Sequence, residues 1–124
     1  MKHISTGSPL EVAMGYSRAD AKGGWCFFSG VTRHDYATMA MPRGIAAQAR
    51  NCVATIHAVL AEGGIAMGDV VRVQCAVTDA AVADSMVPVL GDAFDEVRPA
   101  ATIVLSGSIQ PEMLVAIDVT VLKE

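Results

Sequence analysis

The chain has 124 residues, a length that suits one domain with its own hydrophobic core. Hydrophobic residues make up 52% of the sequence and charged residues only 18%, and 13 acidic against 9 basic side chains leave a net charge of −4. This acidic balance, without a basic run, argues against nucleic-acid binding, and no apolar segment approaches the length of a membrane-spanning helix.

The first predicted element is a β-hairpin. A bulky run at residues 25–29 follows the turn sequence Lys22-Gly23-Gly24 and predicts the second strand of the hairpin. Residues 14–21 are the expected partner strand.

A long amphipathic helix is predicted next, between Pro42 and the pair Gly63-Gly64, because proline suits a first helical turn and glycine often ends a helix. Apolar residues recur on one face of this segment at helical spacing: Ile45, Ala49, Cys52, Val53, Ile56, Val59 and Leu60. The opposite face is expected to carry Arg43, Gln48, Arg50 and Glu62, and His57 is expected on the helix surface.

Three strands and a second helix complete the predicted order. Residues 69–78 alternate apolar and more polar side chains and predict a strand, and residues 82–97 predict a helix that Pro88 should kink or delay. Residues 102–106 and 114–122 predict two further strands. The strand–helix–strand connection predicts a right-handed crossover between parallel strands.

Assembly into an oligomer is expected from the low charge content. Both helices have a single apolar face, so both can lie on one side of a single sheet. The other side would carry polar residues among apolar ones: Arg72, Gln74, Thr78, Asp118 and Thr120. Such a surface is too apolar to be fully wet and too polar for a monomer core, which predicts that subunits meet there.

The last quarter of the chain carries the most informative motif. Arg98-Pro99-Ala100-Ala101-Thr102-Ile103-Val104 is followed by Pro111-Glu112-Met113-Leu114-Val115-Ala116-Ile117-Asp118-Val119. This layout resembles the closing signature of the Rid family, the reactive intermediate deaminases, also called YjgF or endoribonuclease L-PSP proteins. Earlier segments match the same family, so that the resemblance covers nearly the whole chain: residues 15–19, 28–30, 48–51, 68–71 and 77–79.

The resemblance implies an α+β fold of the chorismate-mutase type, with one sheet and two helices on one face, in a single domain spanning residues 1–124. It also implies a homotrimer with small-molecule clefts between adjacent subunits. No cofactor is implied. Cys26, Cys52 and Cys75 are expected to be reduced core residues without a metal, since no close cysteine or histidine pair is present. A cytoplasmic location is expected, because the amino terminus has no apolar stretch typical of a secretory signal.

The chain departs from the family at two chemical positions. In deaminating relatives, the arginine of a Pro-Ala-Arg motif grips the carboxylate of an imine, and a glutamate of the last strand positions water. Ala101 and Ala116 stand at those positions here, and alanine can perform neither task. Asp118 matches the second glutamate of the family strand, and Pro88 stands where deaminating relatives often have asparagine.

The candidate site is therefore assigned from the resemblance. Asp118 and Thr102 are the catalytic candidates, and the ligand-binding candidates are Tyr16, Ser29, Gly30, Arg33, Arg98, Ala101 and Ala116. Arg98 or Arg33 could replace the missing arginine, although most surface arginines are only solvated or paired. Asp118 could instead serve a structural pairing with Arg72.

Three functions remain open at this point. The first is a Rid-like small-molecule-binding protein with a cleft between subunits, which could hydrolyse a reactive imine, enamine or related metabolite lacking the usual carboxylate. The second is a non-catalytic ligand-binding trimer, favoured by the loss of both arginine and glutamate. The third is an endoribonuclease, which the acidic balance and the absence of paired histidines disfavour.

Overall fold

The computed structural model describes residues 2–5, 9–15, 17–32, 44–107 and 114–123. Seven strands form one mixed sheet within these residues, in the order β1-β2-β3-β7-β5-β6, with β4 paired separately to β7. The elements are β1 Lys2–Ile4, α1 Pro9–Met14, β2 Ala19–Lys22, β3 Trp25–Phe28, β4 Val31–Thr32, α2 Ile45–Glu62, β5 Val70–Val77, α3 Ala80–Ala83, α4 Val87–Phe94, β6 Ala100–Leu105 and β7 Val115–Leu122. The architecture is α+β, as expected.

Helix α2 confirms the long amphipathic helix, although Pro42 and Arg43 lie outside the described residues. Its apolar stripe faces the core, and His57 is exposed as predicted. Gln48 was expected on the polar face, and that prediction is wrong. Its side chain is buried and its Oε1 accepts a hydrogen bond of 2.9 Å from the backbone N–H of Leu114. Burial is tolerated because this bond satisfies the amide oxygen beside the start of β7.

The second predicted helix is divided into two. Helix α3 ends at Ala83, and α4 begins at Val87 with Pro88 in its first turn, where proline's missing N–H costs no helical bond. Pro88 thus delays the start of the helix, one of the two effects expected of it. The chain leaves α4 through Arg98, whose φ of 55° is left-handed and whose N–H bonds to the carbonyl of Phe94 at 2.8 Å.

The amino-terminal segment differs from the prediction. Residues 14–21 were expected to form one strand, but Met14 ends the short helix α1 and the strand β2 covers only Ala19–Lys22. Pro9 suits the first turn of α1, because a proline there costs no helical hydrogen bond. Strand β1, which the sequence pattern did not reveal, pairs antiparallel with β2 and forms the edge of the sheet.

The central strands follow the prediction closely. Strand β5 is parallel to β6, as the crossover connection requires. On its other side, β5 is antiparallel to β7. The apolar residues of β7 alternate into the core, where Val115, Ile117, Val119 and Val121 are all nearly fully buried. The buried residues of α2 and α4 join the same core cluster, and these two helices contact each other.

The opposite side of the sheet has no described helix over it, and we call it the open face. Its side chains are half-buried or exposed: Trp25, Phe27, Arg72, Gln74, Ala76, Thr102, Ala116, Asp118 and Thr120. The rings of Trp25 and Phe27 stack there, with centroids 6.0 Å apart. Over the described part of the chain, no helix combines the length and apolar character needed to cross a membrane.

Candidate functional site

The two residues predicted as catalytic lie in one row across three strands. Gln74 in the middle strand β5 is aligned with Asp118 of β7 on one side and with Thr102 of β6 on the other. Aligned residues of neighbouring strands project to the same face, with about 4.5–5.5 Å between paired positions. Thr102, Gln74 and Asp118 therefore form a contiguous polar row on the open face, from the edge strand β6 across β5 to β7.

Arg72 orients the middle member of this polar row. Its Nη2 donates a 2.7 Å hydrogen bond to Oε1 of Gln74. A guanidinium group has only donors, so the amide oxygen of Gln74 must face Arg72 and its NH₂ group points away. No salt bridge joins Arg72 to Asp118, both of which are described, so the structural pairing considered for this acid does not form. Sequence reasoning did not assign Gln74 to the site, because its role depends on the alignment of β5 with both neighbours.

Asp118 has a perturbed acidity. Partial burial raises the pKa of its carboxyl, and the positive charge of Arg72 partly opposes this rise. Burial, with a smaller contribution from the charge of Asp118, raises the pKa of the Cys75 thiol to about 11. Cys75 therefore stays protonated near neutral pH, and its position on the core side of β5 makes it a packing residue rather than a nucleophile.

A β-bulge brings Ser29 and Gly30 beside the polar row. Phe27 is aligned with Thr120 of β7, whereas Val31 is aligned with Ile117, so residues 28–30 span only residues 118 and 119 of the partner strand. The extra residue interrupts the pairing with β7 at the point where β3 ends and β4 begins, next to Asp118. Bulges of this kind are common beside binding and active sites, where they redirect backbone groups.

Three hydrogen bonds hold this bulge in place. The Nη1 of Arg18 donates to the carbonyl oxygen of Gly30 at 2.8 Å, and the hydroxyl of Ser29 donates to the carbonyl of Ser17 at 2.6 Å. The N–H of Ser29 also bonds to the carbonyl of Arg18 at 2.9 Å. The hydroxyl of Ser29 thus has a structural partner, and Arg18 acts on the bulge through both its side chain and its backbone.

Arg18 is itself anchored in a buried ion pair. Its Nη2 lies 3.5 Å from Oε2 of Glu11 in α1, and both side chains are only 3% exposed. Ser5 donates a 2.9 Å hydrogen bond to the other carboxylate oxygen of Glu11. A buried charge pair needs such additional hydrogen bonds to offset its loss of hydration. Sequence reasoning missed this group, because Glu11 and Gly30, the partners of Arg18, lie elsewhere in the chain and no local pattern marks them.

The two alanines do not share a face of the sheet. Ala116 lies on the open face. Its Cβ would be 3.9 Å from a Cβ built on Gly30. Ala101 is aligned with Val73, whose side chain points into the core, so Ala101 projects towards the helical side at the uncovered edge strand. In a single chain, the two positions therefore cannot act on the same ligand from one face.

The remaining predicted ligand-binding residues are placed less centrally. Arg98 is 80% exposed and lies 3.4 Å from Asp95, three residues earlier in the chain. Tyr16 and Arg33 lie outside the described residues. A groove of about 920 Å³ lies on the helical side, and its described lining includes His57, Asp92 and Glu96 but none of the predicted site residues.

Metal-ligand groups are absent from the described part of the chain, where no three histidine, cysteine or acidic side chains come together. The three cysteines are buried thiols. The polar row itself offers one carboxyl, one amide and one hydroxyl group, beside a fixed backbone bulge.

Comparison with known proteins identifies the family. The model of the endoribonuclease L-PSP family matches residues 6–123. The chain therefore belongs to this family, whose members are also named YjgF or Rid proteins. No curated relative matches the chain by sequence.

Solved structures agree with this membership. Rv2704 of Mycobacterium tuberculosis, a member of the YjgF/YER057c/UK114 family, is 32% identical with a TM-score of 0.88, and the match covers 98% of each chain. RidA from the Antarctic bacterium Psychrobacter sp. PAMC 21119 is 25% identical with a TM-score of 0.87, over 98% of this chain and 99% of that one. TdcF of E. coli, solved with bound serine, shares the fold at 19% identity and a TM-score of 0.82, over 98% and 94% of the two chains.

Proposed function

We propose that this protein is a homotrimeric, cytoplasmic small-molecule-binding member of its family, with a ligand cleft between adjacent subunits, and that it does not catalyse the usual deamination of 2-imino acids. The observation that carries the proposal is the pair Ala101 and Ala116, which replaces the arginine and glutamate that deaminating relatives use. Without the guanidinium, the carboxylate of an imino acid has no bidentate partner at this position.

Three features of the surface support assembly. The edge strand β6 has no charged residue, and its Ile103 and Leu105 are 47% and 64% exposed. An uncovered apolar edge promotes association with another chain. Trp25 and Phe27 add exposed aromatic surface on the open face.

The geometry also supports a cleft shared between chains. Ala101 and Ala116 project to opposite faces of one sheet. If these positions line one cleft, as their counterparts do in relatives, each must come from a different subunit. Sedimentation analysis over a range of concentrations tests the assembly, and a mass other than three times the 12.9 kDa of the chain would refute the trimer.

A second candidate function is hydrolysis of an imine or enamine that has no carboxylate, and the position of Asp118 in the polar row favours it. In this reaction the carboxylate of Asp118 takes a proton from water as the water oxygen bonds to the imine carbon. That proton passes to the nitrogen and gives a carbinolamine. The hydroxyl proton of the carbinolamine then transfers to the nitrogen as the carbonyl forms, so that the carbon–nitrogen bond breaks and ammonia and a carbonyl compound leave.

Ammonia release from freshly generated 2-aminoacrylate and its imine tests the proposal, with a deaminating relative as the positive control. We expect no activity from the natural protein, and activity from the double variant Ala101→Arg with Ala116→Glu. The single variant Ala101→Arg is the matched control and should stay inactive, because the water-positioning glutamate is still missing. Deamination of these carboxylate substrates by the natural protein would refute the proposal, whereas hydrolysis of an imine without a carboxylate that disappears in Asp118→Ala would establish the second candidate.

A further inference from the structure

The polar row offers hydrogen-bonding groups of opposite kinds on adjacent strands. Because Arg72 occupies the amide oxygen of Gln74, the NH₂ group of Gln74 is the part of the amide that can contact a ligand. Asp118, aligned with Gln74 on the next strand, offers carboxyl oxygens, and no hydrogen-bond donor from the described segments reaches them. The row therefore places a donor beside an acceptor.

The spacing of this pair suits one compact ligand group. Aligned positions of antiparallel strands lie about 4.5–5.5 Å apart. A ligand carbonyl oxygen could accept from the NH₂ of Gln74 while the neighbouring ligand N–H donates to the carboxylate of Asp118. Amide, carbamate and ureido groups carry a carbonyl and an N–H side by side in this way, whereas a carboxylate would set a second negative charge against Asp118.

The surroundings of the pair agree with an uncharged group. The guanidinium of Arg72 is held against Gln74, where its positive charge partly balances the negative charge of Asp118. The side chain of Ala116 is small, which leaves room beside the Gly30 bulge next to Asp118. Thr102 completes the row with a hydroxyl that can donate or accept. Partial burial also raises the pKa of Asp118, consistent with a site that disfavours negative charge.

We infer that Gln74 and Asp118 select a small molecule bearing an uncharged amide, carbamate or ureido group in place of the carboxylate. This inference rests on the proposed small-molecule-binding function and names the ligand class for that site. It assigns specificity to Gln74, which no family motif singled out.

The test compares isosteric probes on the isotope-labelled full chain by NMR titration at pH 8. The pairs are pyruvamide with pyruvate and propanamide with propanoate. We expect the backbone signals of Gln74 and Asp118 to shift, and each amide to bind at least about ten-fold more tightly than its carboxylate partner, the effect of one charge repulsion or lost hydrogen bond.

Two conservative variants separate selection from folding. Gln74→Glu keeps the contact with Arg72 but removes the NH₂ group, and should weaken amide binding by about ten-fold. Asp118→Asn removes the negative charge, so the preference for amide over carboxylate should fall to near one. Glu96→Gln makes the same chemical change at an exposed position after α4 and should leave the preference intact.

The outcomes are distinguishable. A wild-type protein that binds the carboxylates as tightly as the amides refutes the inference and leaves the small-molecule function standing. If none of the four probes shifts the signals of the polar row up to its solubility limit, the inference is refuted, whereas the proposed binding function, which names no ligand class, stands. An unchanged preference in Asp118→Asn would also overturn the assignment.

Discussion

The buried ion pair between Glu11 and Arg18 makes the sharpest stability prediction. Replacing Glu11 with alanine leaves the guanidinium of Arg18 enclosed at 3% exposure without its carboxylate partner. Removing one partner of a buried pair costs about 3–5 kcal/mol, because the remaining charge stays buried without its counter-charge. We therefore expect Glu11→Ala to lower the free energy of unfolding by about 3–5 kcal/mol, measured by urea denaturation at fixed protein concentration.

The chain contains a matched control for burial. Arg98 and Asp95 are separated by 3.4 Å, close to the 3.5 Å of the buried pair, but their side chains are 80% and 72% exposed. Breaking this pair with Asp95→Ala should change the free energy of unfolding by less than about 1 kcal/mol. The difference between the two variants then measures what burial adds at nearly constant distance.

A further variant tests the reason for the loss. In Glu11→Ala with Arg18→Met, no charge remains buried, so part of the lost stability should return. The hydrogen bond from Arg18 to Gly30 is absent there, and the amide signals of residues 29–31 should shift because the bulge has lost its anchor. A cost below about 1 kcal/mol for Glu11→Ala alone would refute the reasoning, since an exposed pair would behave in the same way.

The remaining predictions concern acidity and backbone strain. The folded chain holds the proton of Asp118 more tightly than the unfolded chain, so this group favours folding below the ordinary carboxyl pKa and that contribution is lost as pH rises through the raised pKa. Asp118→Asn should therefore be more stable than the natural protein at neutral pH, with a difference that vanishes in acid; urea midpoints across this pH range check it, and a constant difference would contradict it. Cys75, whose pKa is raised to about 11, should resist iodoacetamide in the folded protein and react once urea unfolds it, as read by peptide mass spectrometry. Arg98→Gly should raise the free energy of unfolding by about 0.5–1 kcal/mol, because glycine adopts the left-handed φ of 55° without the steric cost of a side chain, whereas Arg98→Val should lower it.

Periodicity alone predicted the elements that are long and one-sided. Helix α2, strand β5 and strand β7 each repeat an apolar residue at a constant interval against the core, and that interval is a local property of the sequence. Strand β1 and helix α1 have only 3 and 6 residues, too few for a period to be visible. Contacts with the rest of the fold stabilise elements this short, since an isolated helix of such a length is marginal in water.

Burial of polar groups was decided by the tertiary structure. Gln48 has a polar side chain, so local sequence placed it towards solvent, yet its partner Leu114 lies 66 residues later in the chain. The same holds for Arg18, which is buried only because the chain brings both Glu11 and the carbonyl of Gly30 to its guanidinium. A polar residue can be buried when partners distant in sequence satisfy it, and no local pattern records those partners.

The candidate site also has one part that the sequence predicted and another that only the tertiary structure decided. The sequence, through its family motif, was sufficient to single out Asp118 and Thr102 and to show that Ala101 and Ala116 lack the usual functional groups. It could not place Gln74 between the first two or put the two alanines on opposite faces. Those facts follow from the order β6-β5-β7 and from the register of each pair. Because side chains alternate along a strand, a shift of one residue in either register would exchange the faces, so only the assembled sheet determines which residues meet.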